Sequence, residues 1–418
     1  LMRRYCCIIG VCTAVTLALI FLLLVDSVLY RRLVRTTHAS LCTNSNPYSA
    51  ERGSNRGMKI LHLETGRHQY GGPQQVLYLC TGLAERGIDN LLVCPPGSGI
   101  DEAARRVDIP VVNVDCAGDL DMHFAWRLRQ LLIEQKPDIM HCHSRRGGDF
   151  LGGQAASMAG IPAVVSRRVD NTEPRILSGL RYRSFRQVVA ISDAIADVLD
   201  GAGIASNKII VIRDAVDVDR FAVKPDIETF RTEFRLDPDN FVVASAAQFI
   251  VRKGHKYLLR AIADLSPRYP QLKLILFGQG PLENELRAMA AGLGLGKVVQ
   301  FAGFRQDLDD YLGCVDLLAH PALQEGMGVI ALKASAAAVP VVAFDVGGLR
   351  EAVMQEETGL LVPAGNAQAL AEAIGTLMDD KDLRDQYGRM AVQHMRDNFS
   401  VSRMVDKHLT MYESILNA

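Results

Sequence analysis

The sequence predicts an α/β protein built from two doubly wound, parallel-sheet domains of Rossmann type facing a cleft. Three observations carry that expectation. The 418-residue length is more than one ordinary core serves. Short apolar runs alternate with helical segments, and the alternation restarts near the middle of the chain. Several of the apolar runs end in a glycine turn that opens a helix, the arrangement that places ligands at the carboxyl edge of a parallel sheet. A composition of 49% hydrophobic and 22% charged residues belongs to a folded chain, and a net charge of -1 gives no global ground for nucleic-acid binding. The nine cysteines show no metal-type pair spacing. Cys80, Cys94, Cys142 and Cys314 lie in apolar runs and read as reduced, core-filling thiols, which favours a reducing compartment.

In chain order, residues 8–25 form an uncharged apolar run read as a single N-terminal transmembrane helix. The alternative is an over-extended start, because Met58 opens a cleaner domain beginning. Arg3 and Arg4 precede the run while Arg31, Arg32 and Arg35 follow it, which places the large C-terminal part on the cytoplasmic side. Residues 31–57 are polar and rich in Ser, Asn and Gly, and read as a linker. The expected organisation is anchor and linker over 1–57, a first Rossmann-like domain over 58–222 and a second over 223–400. Residues 401–418 then form a helix across a domain surface. Strands are expected at 59–64, 90–94, 110–114, 138–141, 163–166, 187–191 and 209–212, then at 241–246, 272–277, 298–301, 316–320, 341–344 and 359–362. Helices are expected over 74–86, from Val329 to Ala338 with Pro340 ending it, and over 401–416.

The most informative stretch is His320 to Lys333: a strand end, then Glu325, Gly326, Met327 and Gly328, then a helix from Val329. Glycines at 326 and 328 keep side chains away, so the N–H groups opening the helix can face a phosphate while Glu325 offers a carboxylate to hydroxyls. Phosphate plus hydroxyl is the chemistry of a nucleotide sugar. Lys253 follows the first strand of the second domain and suits phosphate oxygens as a point charge. Gly278, in Phe277-Gly278-Gln279-Gly280-Pro281, and the pair Gly347 and Gly348 repeat the glycine turn. The third glycine of a nicotinamide fingerprint is absent, so that cofactor is not supported. Together these turns and the lysine describe a diphosphate cradle.

In the first domain, Gly71 and Gly72 could let backbone approach a ligand, or form only a tight turn. His141-Cys142-His143 ends a strand at the carboxyl edge, and one histidine is expected in the packing with the other toward the cleft. No neighbouring Asp, Glu or Cys completes a zinc-type set there, and no metal is expected. Arg145, Arg146, Arg167, Arg168, Arg175, Arg181, Arg183 and Arg186 make a basic, partly aromatic region. It reads as a site for an anionic acceptor or an acidic membrane face, or as a solvated helix face. Asp217-Val218-Asp219 and Asp307-Leu308-Asp309 are expected in loops or helix starts away from the cleft.

The ordered series GGPQQV, HCHS, AISDAI, RKGH, FGQGP, EGMGVIALKASA, PVVAFDVGGLREAV and ETGLLVPAG resembles glycosyltransferase family 4, retaining enzymes of the GT-B fold, from Met58 to the C-terminus. The resemblance implies a nucleotide diphosphate-sugar held by the second domain and an acceptor held by the first. It implies Glu325 on the donor sugar hydroxyls, Gly326, Met327, Gly328 and Val329 on the diphosphate, and Lys253 on the phosphates. Gly347 and Gly348 would support the adjoining backbone, and His143 would lie near the reacting sugar. Gly71, Gly72 and Arg168 fall on the acceptor side. Two positions depart from the family pattern. Lys333 stands where a second glutamate usually meets ribose hydroxyls, and Gln248 stands where an arginine usually meets the diphosphate.

The activity these features imply is retaining transfer of a sugar to a hydroxyl of a lipid-linked or envelope saccharide, as in lipopolysaccharide or other polysaccharide synthesis. It would take place at the inner membrane face, with a nucleotide diphosphate-sugar as co-substrate and no obligatory cofactor. A sugar phosphorylase, or a silent nucleotide-sugar-binding membrane scaffold, are the alternatives.

Overall fold

The computed structural model describes residues 57–67, 71–144 and 147–418. The apolar run at 8–25 and the pair Arg145-Arg146 lie outside the described residues. Among the described residues no helix is long and apolar enough to cross a membrane.

Among the described residues thirteen strands form two sheets. The first contains β1 (Lys59–Leu63), β2 (Asp89–Cys94), β3 (Val111–Asn113), β4 (Ile139–Cys142), β5 (Ala163–Arg167), β6 (Gln187–Ala190) and β7 (Ile209–Val211), in the order β3-β2-β1-β4-β5-β6-β7. The second contains β8 (Phe241–Ala246), β9 (Leu272–Phe277), β10 (Val299–Gly303), β11 (Leu317–His320), β12 (Val341–Phe344) and β13 (Gly359–Val362), in the order β10-β9-β8-β11-β12-β13. Each strand pair is parallel. The fold is therefore GT-B: two Rossmann-like layers, each with helices on both faces. Parallel strands sandwiched this way lose both faces to packing, which is why Ile60, Leu61 and Leu63 of β1 and Val242, Val243 and Ala244 of β8 are fully buried. Each large apolar side chain so removed from water contributes about 1.5–3 kcal/mol.

The strand orders position the chemistry. In the first sheet the chain reverses direction of growth between β1 and β4, and in the second between β8 and β11. At such a switch point the loops leave in opposite directions and open a crevice beyond the carboxyl ends. The helices include α1 (Gly71–Glu85), α2 (Asp193–Gly201), α3 (His255–Leu265), α4 (Val329–Ala336), α5 (Leu349–Ala352), α6 (Lys381–Asn398) and α7 (Val401–Leu416). Helix α1 begins at the glycines themselves, three residues earlier than the sequence pattern suggests, because Gly71 and Gly72 already take helical geometry.

After α6 the chain crosses back to the first sheet. Val216 N–H donates to the Phe399 carbonyl at 2.8 Å. Helix α7 then buries Met404, Val405, Met411 and Tyr412 against Ile60, Leu79 and Leu83. Gly82 permits this approach, since a Cβ there would sit 2.6 Å from a Val405 methyl.

Candidate active site

At the second switch point, β8 leads into a short turn, Val251–Lys253, ended by Gly254 with φ of 69°. A Cβ on Gly254 would lie 1.8 Å from the Pro321 carbonyl, so only glycine lets this turn meet the loop after β11. Leu323 N–H donates to the Arg252 carbonyl at 2.7 Å and ties the two loops together. Lys253 is thereby placed against Glu325, with which it forms an ion pair. His320, the last residue of β11, donates from Nε2 to the same carboxylate at 2.8 Å. Both donors meet Oε2, so Oε1 has no protein partner among the described residues. Burial alone would raise the Glu325 pKa, but the His320 N–H and the Lys253 ammonium outweigh it and hold the carboxyl well below the usual range. Glu325 is thus an anion with one oxygen anchored and one available to hydroxyl donors.

Beyond Glu325, Gly328 takes φ of 82° and Val329 opens α4. Among the described residues no protein acceptor meets the N–H groups of 326–330, which leaves a cradle for an anion. The glycine pair after β12 supports this turn from behind. Gly348 N–H donates to the Glu325 carbonyl at 3.3 Å, and a Cβ on Gly347 would fall 1.9 Å from that oxygen. The Gly348 N–H is therefore spent on the turn itself. Gly278 has a similar supporting position: its N–H donates to the Gly303 carbonyl at 2.8 Å, and a Cβ would come 2.1 Å from the Ala247 carbonyl. Gln248, half-buried in the loop after β8, makes no side-chain hydrogen bond among the described residues.

The first domain closes on this turn. A Cβ on Gly326 would lie 2.6 Å from the Arg168 carbonyl, and one on Gly71 would lie 3.4 Å from Val329. Arg168 pairs with buried Asp214 and lies along Gly72. Glu351 on α5 reaches across to Arg213 at 2.5 Å and accepts from the Asp193 backbone N–H, at the start of α2, at 2.8 Å. Sequence reasoning passed over Glu351, Arg213 and His320; His320 stood inside the singled-out stretch, five residues before its partner.

Four expectations change. His141 and His143 do not point to opposite sides: both are buried, with ring centroids 3.9 Å apart, because residues two apart on a strand share a face. His62, directly beside them on β1, joins them, and ligand atoms of the three rings lie within 4.8 Å of one another. A count of ligands along the chain could not find His62, since strand pairing alone brings it there. A metal ion between His62 and His143 would have to break the 3.0 Å hydrogen bond these rings share. Second, the Lys333 side chain is already engaged within the protein. Its ammonium holds both Asp309 oxygens, at 2.8 and 2.9 Å. Third, Asp309 does not stand apart from the domain junction, because Arg220 of the interdomain segment also reaches it at 3.4 Å. Asp307 is taken by Arg305 at 2.7 Å. Fourth, much of the basic region is consumed internally. Arg167 is buried against Glu173 and Tyr182, and Arg181 pairs with Asp149 at 2.7 Å. A hollow of about 620 Å³ lined by exposed Arg183 and Arg186 lies at the amino ends of β5 and β6, on the opposite edge from the glycine turns.

Two facing Rossmann-like domains, with an anchored carboxylate, a lysine and an unfilled N–H cradle at the second switch point, define the GT-B class of nucleotide-sugar enzymes. The family comparisons agree. Residues 226–394 match the family model described as glycosyl transferases group 1, and residues 70–220 match that of glycosyltransferase family 4. The chain belongs to the group 1 glycosyltransferases. It is 26% identical over 362 residues to the lipopolysaccharide core biosynthesis glycosyltransferase LpsE of Rhizobium meliloti (strain 1021), covering 85% of this chain and 99% of that protein. It is 32% identical over 239 residues to the D-inositol 3-phosphate glycosyltransferase of Corynebacterium jeikeium (strain K411), covering 54% of this chain and 57% of that one. Among solved structures, Anabaena HepE in complex with UDP and glucose superposes with a TM-score of 0.77 at 23% identity, over 85% of this chain and all of that one.

Proposed function

We propose that this glycosyltransferase moves a sugar, with retention at the anomeric carbon, from a nucleoside diphosphate donor to a hydroxyl of a lipid-linked or envelope saccharide. The observation that carries the reading is Glu325 itself: one carboxylate oxygen fixed by Lys253 and His320, the other open, beside N–H groups that meet no acceptor among the described residues. Glu325 would hold donor-sugar hydroxyls. Lys253 and the N–H groups of Gly326, Met327, Gly328 and Val329 would take up charge as it builds on the departing diphosphate, which requires no reorganisation when they are already in place. Gly347, Gly348 and Gly278 hold these groups in line, and Gln248 leaves phosphate binding to Lys253 and the backbone. No side-chain base is assigned; the leaving phosphate oxygen would take the acceptor proton on the same face.

Gly71, Gly72 and Arg168 would form the acceptor wall, with His143 near the reacting sugar. We place the domain boundary at 222/223 and treat 401–418 as a helix belonging to the first domain's surface. The similarity to a lipopolysaccharide core enzyme supports an envelope acceptor, and the UDP complex of HepE makes a UDP-sugar the first donor to test. With such acceptors the enzyme would work at the cytoplasmic face of the membrane.

A thermal-shift screen of nucleoside diphosphates and their sugars should single out one donor, since a ligand bound only by the folded state raises Tm according to its affinity. With that donor and an envelope lipid extract, Glu325→Gln should lower turnover by roughly 10²–10³-fold. Unchanged turnover in Glu325→Gln would remove the proposed site, and a requirement for inorganic phosphate in place of a nucleotide would make the protein a phosphorylase.

A further inference from the structure

We propose that Asn90 and His62 are positioning residues that lock His143 with its proton on Nε2, so that Nδ1 offers a lone pair to a hydroxyl of the bound sugar. The inference rests on the reading of His143 as part of the sugar site, and it follows from hydrogen-bond bookkeeping that starts at Asn90. The Asn90 amide nitrogen donates to the Cys80 carbonyl at 3.2 Å and to the Ile88 carbonyl at 2.9 Å. Turning the amide over would set its oxygen against two carbonyl oxygens, so Oδ1 must be the atom 3.1 Å from His62 Nε2. An amide oxygen only accepts. His62 Nε2 therefore carries a proton.

His62 is neutral, its pKa pushed down by burial to about 4, so its Nδ1 is a bare lone pair. His143 Nε2 lies 3.0 Å from that lone pair and must be the donor. Burial also holds His143 in the neutral form, so its one proton is committed and its Nδ1 is unprotonated. That Nδ1 is buried and has no partner among the described residues. A group that satisfies it has to be a donor, and a sugar hydroxyl is one.

His143 lies where such a hydroxyl would come. It follows β4 at the first switch point, where its N–H donates to the Leu63 carbonyl at 2.8 Å. Arg168, whose carbonyl packs on Gly326 and whose side chain lies along Gly72, is close enough to act on its charge. The His141 ring packs tilted against His143, and is itself held by Tyr412 at 2.6 Å and Ser166 at 2.9 Å, while His62 stacks on His143 with an interplanar angle of 19°. Without the lock, a neutral imidazole can place its proton on either nitrogen, and the wrong choice would meet a hydroxyl with an N–H.

The test uses the whole chain labelled with ¹⁵N-histidine. Nitrogen chemical shifts should show His143 protonated on Nε2 and bare on Nδ1, and UDP-glucose, but not UDP alone, should move the Nδ1 resonance. The opposite tautomer, or an Nδ1 resonance indifferent to UDP-glucose, would overturn the proposal. In steady-state release of UDP from UDP-glucose, His62→Phe should lower kcat by about tenfold with KM little changed, as expected when a catalytic imidazole loses its tautomer rather than its place. Asn90→Leu should act in the same direction, and the His62→Phe/His143→Ala pair should be no worse than His143→Ala alone. Wild-type turnover in His62→Phe beside a damaged His143→Ala refutes the lock. Wild-type turnover in His143→Ala refutes the placement of His143 at the sugar, while the nitrogen shifts still report the tautomer by themselves. Should a substituted chain fail to fold, the wild-type spectrum alone decides.

Discussion

The two switch points sit at matching places in matching sheets and carry opposite electrostatics. Between β8 and β11 the groups are ionic: a lysine, a carboxylate held in its charged form and a histidine pinned between strand and loop. Between β1 and β4 the clustered rings are neutral and desolvated: His62 is bonded to His143 and to Asn90, and His141 beside them to Ser166 and Tyr412. One fold can therefore supply an ionic crevice and a neutral one, according to whether the loops after the strands bring in ions or exclude them. The difference also extends to the backbone. The ionic crevice is assembled from loops in near contact, where Gly347 has φ of 49° and no room for a Cβ. The neutral crevice is opened by Gly71 in ordinary helical geometry, with van der Waals clearance to Val329.

That contrast can be broken most sharply at the glycines. Gly347→Ala should cost about 2–4 kcal/mol of stability and weaken donor binding, because the methyl would strike the Glu325 carbonyl in a strained backbone region. Gly71→Ala should cost less than about 1 kcal/mol by the same denaturation measurement. Equal losses at the two sites would erase the distinction.

Acid should separate the crevices next. The buried His62 ring has a folded pKa near 4, below its unfolded value, so the unfolded chain takes up the proton first as pH falls. Its contribution is complete above about pH 6.5 and declines toward pH 4, and this group alone should remove about 2 kcal/mol between pH 7.5 and 5. The depressed Glu325 carboxyl behaves differently: its contribution is complete above its unfolded value and is lost only on further acidification, below about pH 4. Urea denaturation across pH 8 to 4 should therefore show an early fall, which His62→Phe reduces and Glu325→Gln leaves in place. A flat profile down to pH 5 would contradict the assignment of neutral rings.

The smallest effect concerns Lys333. If its role is to hold Asp309, a double-mutant cycle of Lys333→Met and Asp309→Asn should return a coupling of about 1 kcal/mol in stability. Zero coupling, with the donor affinity changed by Lys333→Met alone, would return this lysine to the nucleotide pocket.

Much of this was legible along the chain. Parallel strands buried on both faces must be short apolar runs, and helix N-termini that approach a partner closely must be glycine-rich, so both sheets and the Glu325 turn could be expected from residue order. Lys253 was legible because it follows a strand by a fixed few residues. What could not be read was whatever depended on a second element. His141 and His143 were read along one strand, so the neighbour on β1 was missing. Lys333 was read against the position it occupies in the family, and the carboxylate that takes it comes from the short helix at 308–311.

By itself the sequence determined the alternation of strands and helices, the glycine turns and the identities of the ionic groups at 253 and 325, because these follow from local periodicity and from what a backbone can do without a side chain. Only the tertiary structure decided which oxygen of Glu325 is anchored, that Lys333 meets Asp309, and that Asn90, His62 and His143 form one hydrogen-bonded line. Those outcomes depend on strand order and on contacts between residues far apart in the chain, and the direction of a single amide, set by two backbone carbonyls, is enough to choose where a proton sits on a ring it never touches.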